Sequence, residues 1–172
     1  MEDMTFSSGK GDAGIVKKQF LTMKLFFFSV QISPVITLIV MTYVVRAGHF
    51  TPPDVEMIRN LYIYLPYIFM FIGVGASIVI LATAWRKVGA EENFLEALRK
   101  YFVLMVLALA TCEAAAVVCA ISILFGNSLT QIIVPFVVSI TAKWLHFPGK
   151  ERLETMYNEG RRRYLQEQRL GM

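Results

Sequence analysis

Residues 101–125 read YFVLMVLALATCEAAAVVCAISILF, an apolar run whose one charged residue is Glu113. At ~1.5 Å of rise per helical residue the run crosses a hydrocarbon core about 30 Å thick. Gly126-Asn127-Ser128 closes it, and a second apolar run begins at Leu129 and continues to about Leu145. So short a connection makes the two runs antiparallel neighbours.

Upstream lie two more runs of the same kind, giving spans at about 24–46, 60–85, 101–125 and 129–146. The composition agrees: of 172 residues, 56% are hydrophobic, and the mean hydropathy of +0.55 is too high for an ordinary soluble domain. Lys10, Lys17 and Lys18 resemble the positive start of a signal peptide. The apolar stretch that follows is too long and lacks a small-x-small cleavage site, so a retained first helix is expected. Its Gln31, Ser33 and Pro34 are tolerated best where neighbouring helices satisfy the freed backbone groups. Thr51-Pro52-Pro53-Asp54 is expected to turn the chain into the second helix. That helix carries Tyr62, Tyr64 and Tyr67 at one end and Trp85 at the other, as in an aromatic belt.

Charge sets the orientation. Lys10, Lys17, Lys18 and Lys24 precede the first span, Arg86, Lys87, Arg99 and Lys100 join the second to the third, and Lys150, Arg152, Arg161, Arg162, Arg163 and Arg169 lie in the tail. The opposite side carries only Arg46 and Arg59 against Asp54 and Glu56. Retained positive charge places both termini in the cytoplasm. Lys143, beside the end of the fourth span, is expected to snorkel outward. The expected fold is an all-α membrane protein with four transmembrane helices, both ends inside, and a cytoplasmic C-terminal amphipathic helix. Residues 1–148 form the transmembrane domain and 149–172 a basic helical tail.

Ala90-Glu91-Glu92-Asn93 is expected to open the third helix, with acids at its positive end. In the tail Leu153, Met156, Tyr157, Tyr164 and Leu165 are spaced for one helical face. Two readings stand for it: a helix lying on the membrane surface, with Arg161, Arg162 and Arg163 at anionic lipid headgroups, or a solvated tail interrupted at Gly160 and ended at Gly171. The net charge of +4 comes with no nucleic-acid-binding motif, so no nucleic acid is expected as partner.

Catalytic chemistry finds no foothold. There is no serine, histidine and acid cluster and no phosphate-binding glycine loop. Cys112 and Cys119 share one span and read as small core residues. His49 and His146 stand at opposite ends of spans, and no zinc spacing occurs, so neither haem, metal nor another cofactor is expected.

Glu113 is the chemical feature left. An ionised carboxylate at mid-membrane costs several kcal/mol, so it is expected to be neutral or else paired with a basic or polar group from another helix or chain. Ser77 is a candidate hydrogen-bond partner. With Val106, Leu109, Ala110, Ala116, Val117 and Ala120 on its face, Glu113 is expected to point at protein. Gly73, Gly75, Ala76 and Ser77 of the second helix offer a small-residue surface for close packing against the third.

Gly73-Val74-Gly75-Ala76, a basic loop and then Ala110-Thr111-Cys112-Glu113-Ala114-Ala115-Ala116 resemble the hairpin of ATP synthase c-type proteolipids over residues 68–126. That resemblance implies that Glu113 matches the carboxylate that carries a proton or sodium ion around a ring. The stretch from Pro135 through Leu145-His146-Phe147-Pro148 is similar to uncharacterised bacterial four-helix membrane proteins. A multi-pass protein of the bacterial inner membrane is expected.

Two functional readings follow. The first is a small non-enzymatic membrane subunit that packs with other transmembrane subunits or with itself, using Glu113 as a buried polar anchor. The second is ion translocation at Glu113, with Gln31, Ser77, Thr111 and Gln131 lining a path. For each of these polar residues, a satisfied helix–helix hydrogen bond is the plainer role. Four short spans with small loops leave little room for a substrate cavity.

Overall fold

The computed structural model describes residues 10–50, 56–91 and 93–170. Among these the chain is helical, without a strand: α1 (Lys10–Arg46), α2 (Glu56–Gly89), α3 (Phe94–Ile121), α4 (Leu129–Lys143) and α5 (Lys150–Arg169). Short 3-10 turns at Ser122–Phe125 and Trp144–His146 extend α3 and α4. Among the described residues four helical stretches are long and apolar enough to cross a membrane, Gly14–Arg46, Tyr62–Gly89, Phe94–Phe125 and Leu129–His146.

The helices outrun the apolar spans. Lys17 and Lys18 lie inside α1, and α2 continues past Trp85 to Gly89. The expected opening of α3 at Ala90 is not found: the Ala90 amide bonds back to the Arg86 carbonyl at 3.2 Å, closing α2. The helix starts after Asn93, whose side chain accepts from the Leu95 amide at 2.9 Å. Glu91 pairs instead with Lys100. The expected turn at Thr51-Pro52-Pro53-Asp54, with Glu92 and Gly171, lies outside the described residues.

One core ties α1, α2, α3 and α5 together at one end of the bundle. Phe20, Met23 and Phe27 of α1 meet Ala84 and Val88 of α2, Leu98, Tyr101 and Met105 of α3, and Leu153 and Met156 of α5. Leu153 and Met156 of the tail are thus buried against the bundle, while Tyr157, Tyr164 and Leu165 on the same face are half-buried. Gly160 is the closest point of approach and not an interruption. A Cβ there would stand 2.5 Å from the Trp85 carbonyl, and Gly89 of α2 lies directly opposite. At the other end a smaller cluster packs Ala116, Cys119 and Ala120 of α3 on Phe136 of α4. Outward-facing Ile36, Ile39 and Val40 of α1 are exposed, a surface suited to lipid tails as apolar as they are.

Pro34, Pro66 and Pro135 sit inside α1, α2 and α4. Each lacks the N–H that would bond the carbonyl four residues back, which frees Val30, Tyr62 and Gln131. Two of these carbonyls are recovered near the α3–α4 turn: Asn127 Nδ2 donates to Tyr62 at 2.8 Å and the Tyr67 hydroxyl to Gln131 at 2.9 Å. Tyr62 also stacks on Phe125, ring centroids 3.8 Å apart.

Candidate functional site

The third freed carbonyl belongs to the site. The turn at Gly126, in the left-handed region at φ 92°, folds α4 back along α3. Ser128 then caps α4, with its hydroxyl and Gln131 forming a reciprocal capping box. Reflection about Asn127 decides depth: Glu113 is 14 residues before it (127 − 113) and Lys143 is 16 after it (143 − 127). Within a turn of helix the two side chains are level.

Lys143 Nζ pairs with the Glu113 carboxylate and donates to the Val30 carbonyl at 3.0 Å, the group that Pro34 frees. One ammonium thus draws α1, α3 and α4 to a point. Its side chain is 0% exposed, whereas the Glu113 side chain retains 20% exposure. Snorkelling by Lys143 is overturned, because the short α4 ends beside Glu113 and leaves the lysine inside the bundle. Of the two states expected for Glu113, the structure has the paired one, with a partner from its own chain.

Helical phase redistributes the other candidates. A Cβ on Gly73 would fall 2.5 Å from the Thr111 carbonyl and 2.9 Å from Ala115 Cβ, so the tight α2–α3 seam runs through Thr111 and Ala115. Two residues are ~200° around a helix, so Glu113 faces away from that seam. Ser77, buried, donates to its own Val74 carbonyl at 2.8 Å, and Thr111 to Ala108 at 2.8 Å. Neither bonds Glu113. Gly75 is not in the seam, since a Cβ there would meet nothing within 4 Å. Ala76 is half-buried, Ala110 is exposed and Ala116 packs toward α4. Gln131 is held in the capping box at the far end of α4, while Gln31, beside Val30, has a buried amide without a hydrogen-bond partner. Arg161 donates to the Ala90 carbonyl at 3.3 Å, and Arg162 and Arg163 are exposed.

The residue that reading the sequence missed is Lys143. Counting equal distances from the Gly126-Asn127-Ser128 turn would have found it, because an antiparallel hairpin brings residues at equal separation to equal depth. Among the described residues no group of three or more histidine, cysteine or acidic side chains is placed to hold a metal ion.

With its four apolar helices, this chain is a multi-pass integral membrane protein. No family model, curated protein or solved structure matches it.

Proposed function

We propose that the chain is a small non-enzymatic membrane subunit that packs with other transmembrane subunits, both termini on the cytoplasmic side of a bacterial inner membrane. The observation that carries this reading is a ledge on α3. Ala110 and Ala114, one turn apart, are both exposed, with no helix among the described residues covering them, and such small pairs admit a neighbouring helix closely. Glu113 lies beside the ledge, and its pairing with Lys143 makes it an internal clamp that holds the surface in shape. Exposed Arg162 adds attraction to anionic lipid.

Mass measurement of the native particle, extracted in mild detergent, tests the reading. It should exceed the 19.5 kDa of one chain and collapse to the monomer in Ala110→Leu/Ala114→Leu. A monomeric native particle rejects it. For orientation, reporters at either terminus should sit opposite one placed at His49; a shared side rejects the topology.

Ion translocation remains the second reading, favoured by the residual exposure of the Glu113 carboxylate. Proton flux into liposomes that is abolished by Glu113→Gln would support it, and flux indifferent to that change would exclude it.

A further inference from the structure

Where the end of α2 passes α5, Ala82, Trp85 and Arg86 on one side and Glu159, Arg163 and Glu167 on the other line a groove of about 720 Å³. Its charges are mixed: two guanidinium groups face two carboxylates. Only Arg86 and Glu167 approach each other, at 3.9 Å and with side chains 85% and 50% exposed. Among the described residues Arg163 and Glu159 have no ion-pair partner. The groove is open to an apolar strip. Ile78 and Val79, 50% and 62% exposed, lead along α2 to Ala82, and Trp85 marks the depth at which an indole sits between hydrocarbon and headgroups.

A ligand for this place needs a hydrocarbon part and a polar part carrying both signs. A purely anionic headgroup would leave the carboxylates opposed, and a cation would leave the arginines opposed. We propose that the groove binds one zwitterionic aminophospholipid, its phosphate between Arg86 and Arg163, its ammonium at Glu159 and Glu167, and an acyl chain along Ile78, Val79 and Ala82. Guanidinium is suited to phosphate oxygens. The site requires the chain to lie in a membrane but is independent of what the α3 ledge contacts.

Native mass spectrometry of the full chain, with phosphatidylethanolamine and phosphatidylglycerol of matched acyl chains added together, tests it. Phosphatidylethanolamine should be retained about tenfold over phosphatidylglycerol, the factor that ~1.4 kcal/mol supplies. Glu159→Gln/Glu167→Gln should reverse the preference, and Arg86→Gln/Arg163→Gln should lose both adducts. Ala82→Trp, which fills the groove without changing charge, should also lose the adduct. Equal retention, a preference for phosphatidylglycerol, a preference that survives the glutamate changes, or an adduct retained in Ala82→Trp would overturn the proposal. Full displacement by soluble glycerophosphoethanolamine would overturn the lipid assignment in favour of a free zwitterion.

Discussion

Lys143 on α4 pairs with Glu113 on α3, and the same ammonium takes the Val30 carbonyl that Pro34 leaves without its helical partner. The pair and the proline belong to one arrangement. Removing one member of a buried ion pair costs ~3–5 kcal/mol, whereas replacing both with apolar residues is often neutral or better. Lys143→Met is therefore expected to lower stability sharply and Glu113→Leu/Lys143→Met to recover most of it. Thermal unfolding in detergent checks this, and additive losses would contradict a shared clamp. Because Pro34→Ala restores an N–H to Val30, Lys143→Met should cost less in that background.

Asn127 holds the corresponding place at Pro66. Its side chain donates to the Tyr62 carbonyl, and a buried acceptor left alone costs about 1–3 kcal/mol. Asn127→Ala should destabilise by that order, and Pro66→Ala should erase much of the difference by returning the helical hydrogen bond. A double-mutant cycle on unfolding midpoints reads the coupling; zero coupling would show that Asn127 acts only in the turn.

Gly73 and Gly75 should behave differently. Leucine at Gly73 drives into the Thr111 backbone, while leucine at Gly75 enters open space. Gly73→Leu is expected to reduce the yield of folded protein and Gly75→Leu to leave it unchanged. Comparable losses in size-exclusion profiles would place the α2–α3 seam elsewhere.

Gly160 and Gly89 allow α5 to lie against α2 backbone to backbone. Gly160→Leu should lift α5 and let its backbone open to trypsin at Arg161 through Arg163, with the bundle intact. An opening free energy lowered by about 1.4 kcal/mol speeds cleavage about tenfold where reclosing is fast. Unaltered cleavage would mean that Leu153 and Met156 dock the helix without that contact.

The four spans, the α3–α4 hairpin and the presence of one acid, Glu113, within the third span were legible in the sequence, because hydropathy over a helix length and the residues of a tight turn are local properties. Pro34 also announced a carbonyl needing a partner. What supplied it was decided by tertiary structure. Lys143 read as interfacial when placed at the end of its own span, yet α4 is short and its end falls at the depth of Glu113. Gly73 and Gly75 look alike in a list of small residues, but two positions on a helix face nearly opposite ways. Gly160 looked like a break in an amphipathic face until a second glycine on α2 met it. Depth relative to a neighbour and the phase of a contacting face are properties of packed pairs of helices, so a single segment does not carry them.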